Sequence, residues 1–269
     1  MNYPKIIYGT AWKKDMTSSL VVMAVLQGFR AIDTGMLEDL VGEALQILKT
    51  EHGVVRESLF LQTKYTPIDS QDRLRPIPYS VDAPITGQIQ QSFEKSLANL
   101  RTTYLDSYIL HSPFRRMDDT LEAWRVLVSL QDQGKVHAIG ISNCYDVRIL
   151  RALETVRRVQ VVQNRWFEGN GWDQEVYQYC MKYNVPYQSF WTLTGSPSLL
   201  AHPSVVTLAN SLGCSREQAV YRYAQSIGIT PLCGTQNEEH MHQDVRIADI
   251  PIDDNARTHI ESITKFIRG

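Results

Sequence analysis

The sequence predicts a (β/α)8 barrel, a closed parallel sheet wrapped by helices, as a single domain over residues 1–269. Three observations carry that expectation. Short apolar runs rich in β-branched and aromatic residues alternate with longer helical patterns along the whole chain. The runs are too evenly apolar for half-exposed hairpins, and AIGIS and SYIL read as strands buried on both faces. Polar or ionisable residues close one run after another, which is where barrel enzymes assemble their sites. An open doubly wound sheet is the rival architecture, but it usually has fewer strands, and no GxGxxG fingerprint is present.

In order, the strand-like runs are Lys5–Ala11, Arg30–Thr34, Leu59–Tyr65, Tyr104–His111, Val136–Ser142, Val161–Trp166, Pro186–Trp191 and Thr230–Gly234. Helical patterns fall between them at Thr17–Gln27, Glu38–Lys49, Ile85–Leu100, Leu121–Gln133, Val147–Val156, Gln174–Lys182 and Arg216–Ser226, with a further candidate at Asn237–Val245. Leu20, Val21, Ala24, Val25 and Phe29 share one helical face, and so do Leu40, Val41, Ala44, Leu45 and Leu48. Gly28, Gly134 and Gly228 each follow a helical run, as stop signals do. The proline-bearing stretch Pro67–Pro84 is expected to be a long loop forming part of a pocket wall.

Composition narrows the function classes. Apolar residues make up 43% and charged residues 21%, an ordinary globular mix that excludes a disordered, collagen-like or disulfide-stapled chain. With 27 basic and 29 acidic residues the net charge is −2, which gives no footprint for nucleic acid. No apolar run reaches the ~18 residues of a membrane span. The N-terminus lacks a secretory h-region, so the expected setting is cytoplasmic. Cys144, Cys180, Cys214 and Cys233 form no CxxC pair and are expected to be free thiols in a reducing compartment. His240 and His242 are two apart and face different sides of a helix, so no metal site is expected. No long amphipathic seam demands assembly, so a monomer or weak oligomer acting on a small molecule is expected.

The ends of the strands carry the chemistry. The second run ends in Asp33, the third in Lys64 and the fourth in His111. The fifth ends in Ser142-Asn143, the sixth carries Gln163 and Asn164, the seventh closes over Ser189 to Trp191, and the eighth in Gly234-Thr235. A carboxylate beside an ammonium fixes the lysine in place, and a neighbouring histidine can polarise a substrate oxygen. This is acid–base machinery suited to a carbonyl. Trp12, Trp166 and Trp191, with Trp172 nearby, lie in or just after strand ends and are candidates for a substrate-lining set.

The segments GTAWKK, GFRAIDTG, LFLQTKYTP, NLRTTYLDSYILHSP, GKVHAIGISN, VVQNRW, YQSFWTLTG and GTQNEEHM, in this order and spacing, resemble the aldo-keto reductase family, in particular its short fungal-type members. The resemblance implies a nicotinamide cofactor across the barrel mouth and an Asp-Tyr-Lys-His tetrad. Asp33, Lys64 and His111 match its aspartate, lysine and histidine. Ser142, Asn143 and Gln163 match residues that grip the nicotinamide carboxamide, Phe190 falls where an aromatic ring stacks under the nicotinamide, and Thr235 falls near the cofactor phosphates. The tyrosine has no match. The stretch from Asp33 to Gly42 reads DTGMLEDLVG, shorter than the family's loop, and the tyrosine position goes with it. Glu38 is a candidate to reach the same space, and Tyr65 is expected to point away because it neighbours Lys64 on a strand. Where relatives often place a lysine and an arginine around the 2′-phosphate of NADP, this chain has Gly234 and His240. The cofactor is therefore NADPH or NADH with no expected preference for NADPH, and Arg216 or Arg222 are candidates to contribute.

Three functions follow. The first is an oxidoreductase of a small-molecule carbonyl or conjugated enone, with an altered proton-donor site. The second is a redox-neutral acid–base enzyme, a cyclase, isomerase or dehydratase of a natural-product intermediate in secondary metabolism, needing no cofactor. The third is a non-catalytic nicotinamide-binding module.

Overall fold

The computed structural model describes residues 3–72 and 75–269. Eight parallel strands close into a barrel in sequence order. They are β1 (Ile7–Gly9), β2 (Ala31–Asp33), β3 (Phe60–Tyr65), β4 (Leu105–Leu110), β5 (Val136–Ser142), β6 (Val161–Arg165), β7 (Tyr187–Phe190) and β8 (Ile229–Cys233), and β8 pairs back onto β1. The helices outside are α1 (Thr17–Leu26), α2 (Glu38–His52), α3 (Ile85–Leu100), α4 (Met117–Asp132), α5 (Val147–Glu154), α6 (Gln174–Tyr183), α7 (Pro197–Ala201), α8 (Pro203–Leu212), α9 (Arg216–Ser226), α10 (Glu238–Arg246) and α11 (Asp254–Arg268).

Every predicted strand is present; β5 has the predicted bounds, β8 lies one residue earlier, and the others are trimmed at one or both ends. The helices α7, α8 and α11 were not foreseen. Pro197 and Pro203 each occupy the first helical position, where a missing N–H costs nothing. The Asp253 carboxylate accepts from the Ala256 N–H and starts α11. Gly28 and Gly134 end their helices at φ +114 and +71, a backbone region that other residues enter only with strain. The stretch 67–84 is a loop apart from one 3-10 turn, and residues 73 and 74 within it lie outside the described residues.

Side-chain alternation separates two cores. The outward residues Tyr8, Ile32, Leu61, Tyr65, Tyr108, Ile139, Val162 and Tyr187 join the large core between sheet and helices. The inward residues Ile7, Ala31 and Phe60, with Tyr3 and Leu232, form a small plug at the lower end of the barrel. Above that plug the interior turns polar. Paired registers place Asp33 beside Gln62, Gln62 beside Ser107, Lys64 beside Ile109, and Gln163 beside Gln188. The barrel thus holds its charged and amide side chains near the ends where the strands finish. No helix among the described residues is long and apolar enough to cross a membrane.

Candidate active site

Lys64 and Asp33 meet at the barrel mouth. Lys64 Nζ donates to both carboxylate oxygens of Asp33, at 2.6 and 2.7 Å, and to the Thr34 carbonyl at 3.1 Å. An ammonium has three donors, so this set is complete. Both side chains are about nine-tenths buried, at 10% exposure each. Asp33 Oδ1 also accepts from Gln62 Nε2 at 2.7 Å and Gln163 Nε2 at 3.1 Å. Gln62 Nε2 and Gln163 Nε2 both donate to the side-chain Oε1 of Gln188, and Gln188 Nε2 donates to the Tyr3 hydroxyl at 2.6 Å. This ladder of three glutamines locks the carboxylate from below. The sequence reading named only Gln163 of the three. The missed signal was the period-two placement of Gln62 below Lys64 and of Gln188 below Phe190.

His111 follows β4 by one residue, with its N–H bonded to the Tyr65 carbonyl at 2.8 Å. Burial, reinforced by the Lys64 charge, pushes its imidazole down from 6.5 to about 4, against an opposing pull from Asp33. It is therefore neutral at physiological pH. Its Nδ1 is buried with no hydrogen-bond partner. Asp33, Lys64 and His111 thus converge on one rim, as the sequence reading expected.

Ser142, Asn143 and Gln163 lie beside this group. Ser142 Oγ donates to the Gln163 carbonyl at 2.6 Å, and Asn143 Nδ2 donates to the His111 carbonyl at 2.8 Å. Asn143 takes a left-handed backbone, φ 50, which turns its amide toward the mouth region. Its Oδ1 receives only a long 3.5 Å contact from the Tyr145 hydroxyl. No described group donates to Gln163 Oε1. Gln163 Oε1 is therefore free, and Asn143 Oδ1 only weakly engaged, to receive the N–H groups of a carboxamide, and the half-buried Phe190 ring lies at the next interior layer of β7. These residues fit a nicotinamide. Thr235 is half-buried just past β8. Its hydroxyl accepts from the Asn237 N–H at 3.2 Å, and its carbonyl accepts from the Tyr8 hydroxyl at 3.0 Å.

Several expectations are corrected. Trp166 does not line the mouth. It is 1% exposed and points outward, against the rings of Trp172 and Tyr223 at 6.4 and 6.3 Å, because it takes the opposite side of β6 from Gln163 and Arg165. Trp172 is likewise buried in that layer, against Phe266. Trp12 and Trp191 are exposed by 86% and 49%, and both hold left-handed backbone, φ 65 and 63. The Arg165 guanidinium lies 4.8 Å from the Trp191 ring centroid. Glu38 does not replace the tyrosine. It accepts from Thr63, Ser96 and Asn99 behind the sheet, where burial raises its carboxyl above the usual range. Tyr65, by contrast, points outward as its place next to Lys64 predicts, its hydroxyl donating to Gln88 Oε1 at 2.9 Å. Among the described residues no tyrosine hydroxyl is hydrogen-bonded to Lys64. Arg222 is held by the Ile250 carbonyl at 3.0 Å and Arg216 is an exposed residue of the first turn of α9.

A barrel of eight parallel strands whose rim gathers a lysine–aspartate pair, a neutral histidine and amide oxygens defines a class of carbonyl-handling barrel enzymes. The chain belongs to the aldo/keto reductase family, whose family model matches residues 5–265. Among curated relatives it is 26% identical over 252 residues to an uncharacterized oxidoreductase, YtbE, of Bacillus subtilis, covering 92% of this chain and 84% of the relative. It is 25% identical to the glyoxal reductase of the same organism, over 91% of this chain and 82% of that one. Among solved structures, an aldo-keto reductase complexed with NADPH superposes with a TM-score of 0.80 at 21% identity, covering 98% and 84% of the two chains. An aldo/keto reductase from Brucella melitensis gives 0.78 at 22%, covering 97% and 95%.

Proposed function

We propose that the protein is a nicotinamide-dependent oxidoreductase of a small-molecule carbonyl or conjugated enone, in which His111 rather than a tyrosine meets the substrate oxygen. The observation that carries this reading is the neutral imidazole, poised beside a lysine whose donors are already used. When bound, a reduced nicotinamide supplies hydride to the substrate carbon. Asn143, Gln163 and Ser142 hold its carboxamide, and Phe190 supports the ring face.

The residues then divide the remaining work. A neutral imidazole donates one N–H, so His111 places a hydrogen bond on the oxygen as negative charge develops there. Histidine kept neutral is a recognised electrophile, because it donates without first having to lose a charge. The Asp33–Lys64 pair keeps Lys64 still and sets a positive potential near the reacting oxygen. Water at the open rim delivers the proton that completes an alcohol. For an enone, the oxygen needs only stabilisation by His111 while water at the rim protonates the α-carbon, a task this site would meet without a strong acid. A redox-neutral cyclase or isomerase would ask Lys64 to activate the substrate, and the three bonds on its Nζ leave it no donor to spare. The small molecule reaches the site beside Trp12 and Trp191, and the barrel works as a monomer or weak oligomer.

The test is a fluorescence titration with NADPH and with NADH, followed by a panel of aldehydes, ketones and enones. Binding with oxidation of the reduced cofactor is expected, and absence of binding at high micromolar concentration of both refutes the reading. Binding without turnover on every substrate supports the non-catalytic module instead.

A further inference from the structure

Resting on that reading, we propose that Arg165 recognises a carboxylate on the substrate, so that the protein handles carbonyl compounds bearing an acid group. Arg165 ends β6 on the inward side, two residues beyond Gln163, and pairs in register with Phe190. Its backbone is pinned from both neighbours. The N–H donates to the Tyr145 hydroxyl at 3.1 Å, and the carbonyl accepts from Asn170 Nδ2 at 2.8 Å. Its guanidinium carbon lies 4.8 Å from the Trp191 ring centroid and 5.9 Å from that of Phe190. The side chain is exposed, and none of the ion pairs among the described residues includes it. No described group accepts a hydrogen bond from its guanidinium.

The rings that carry this guanidinium are held at a cost. Trp191 keeps a left-handed backbone, φ 63, which a bulky residue enters only with strain. Its carbonyl accepts from the Gly195 N–H at 2.9 Å, and its ring meets the Phe167 ring edge-on at 5.2 Å. A Cβ built on Gly195 would lie 2.7 Å from the Phe167 Cβ and 2.9 Å from the Trp191 carbonyl oxygen, so the turn closes on glycine. Strain that the surroundings hold in place in this way gathers at ligand clamps. An arginine stacked on aromatic faces keeps its N–H groups, which lie in its own plane, pointing past the rings. The acceptor that matches this fork is a carboxylate.

Carboxylates on the neighbouring segments are engaged elsewhere. Asp146 is bound by Arg148 at 2.7 Å, and Asp173 lies on the outward side of β6, accepting from Asn164 and Tyr187. Glu168 accepts from the Ser198 N–H at 3.4 Å. The anion therefore comes from a bound molecule. With the carboxamide on Asn143 and Gln163 and the ring on Phe190, the nicotinamide end of the cofactor, and not its phosphates, occupies this part of the rim. Arg165 stands two strands from β4 and two residues above the level of His111. That is a backbone separation of roughly 11 Å. Both side chains reach into the span, so one small molecule sets its carbonyl oxygen on His111 and its acid group on Arg165.

The experiment compares kcat/KM for succinic semialdehyde and para-carboxybenzaldehyde with that for their methyl esters, on the wild type and on Arg165→Met, with cofactor Kd as a control. The wild type is expected to favour acid over ester at least about tenfold in one pair or both, and Arg165→Met to remove that preference through the KM of the acid. No preference in either pair, or a preference that Arg165→Met leaves in place, overturns the proposal, while turnover of the esters keeps the oxidoreductase reading. A cofactor Kd raised severalfold in the variant, with acid and ester falling together, also overturns it and assigns Arg165 to the cofactor. If the wild type binds neither cofactor, the oxidoreductase reading fails. In that case, or if none of the four compounds is turned over, quenching of tryptophan fluorescence by benzoate decides: binding lost in Arg165→Met keeps the acid site, and binding absent or unchanged removes it. If Arg165→Met does not fold, salt reads the same charge on the wild type at saturating cofactor. The KM of the acid, and not of the ester, is expected to rise severalfold between about 50 and about 500 mM NaCl. Equal salt dependence of acid and ester overturns the proposal.

Discussion

Replacing His111 with glutamine is expected to make the protein relatively more stable in acid. The unfolded chain binds a proton on this imidazole near 6.5, whereas the folded site holds it unprotonated down to about 4. Unfolding is therefore favoured by proton uptake as pH falls through that window. At about 1.36 kcal/mol per pH unit, the gap is worth about 3 kcal/mol below pH 4, an upper value for a half-buried ring. Above 6.5 the term vanishes. Asp173 opposes it. Its carboxyl is pushed up from 3.8 to about 6, mainly by burial, against hydrogen bonds from Asn164 and Tyr187. Folding stability lost to that buried charge is regained as pH drops from about 6 toward 3.8, by a similar ~3 kcal/mol. The two effects nearly offset in the wild type, so the difference between wild type and variant is the quantity to follow. Urea unfolding of both proteins at about pH 7 and about pH 4 is the assay. The variant-minus-wild-type stability should shift by about 3 kcal/mol in favour of His111→Gln on acidification. A difference constant to within about 0.5 kcal/mol would show that His111 is neither buried nor neutral as described, and its role at the substrate oxygen would fall with it.

The companion variant Asp173→Asn should move the opposite way, losing about 3 kcal/mol relative to wild type over the same range in the same urea series. Lys64→Met leaves the Asp33 carboxylate buried with only amide donors, so melts should report a loss of about 3 kcal/mol or more, and turnover should fall at least about a hundredfold. Gly42→Ala, in α2, sets a methyl against the Asn99 carbonyl of α3 and should destabilise by about 1–3 kcal/mol in thermal melts. Trp12→Ala should leave stability within about 0.5 kcal/mol while raising KM severalfold, because an indole this exposed holds a left-handed backbone without packing on the core.

Much of this arrangement was legible in the residues. The buried strands were readable because parallel strands are apolar on both sides, and Asp33, Lys64 and His111 stood out because each interrupts such a run at its end. Three kinds of feature were not readable. Helices α7 and α8 hid behind prolines whose meaning depends on whether the chain turns or starts a helix there. Trp166 closes a strand run, as mouth residues do, but strand residues alternate sides and it falls on the outward side of β6, opposite to Gln163. The buried Lys13 was not legible because its environment, the Tyr8 ring on β1 and the Gly234 carbonyl just past β8, is joined only when β8 closes onto β1. Glu38 shows the same limit. Its sequence position suits the mouth, but Thr63 and Ser96 draw it behind the sheet.

The most direct measurement is pre-steady-state oxidation of bound NADPH or NADH with an aldehyde or enone, comparing the wild type with His111→Gln and Lys64→Met. Hydride transfer in the wild type, slowed at least about tenfold in each variant while cofactor Kd stays within about twofold, is the expected result. Equal rates in all three proteins, with cofactor bound, would contradict the assignment of chemistry to this rim.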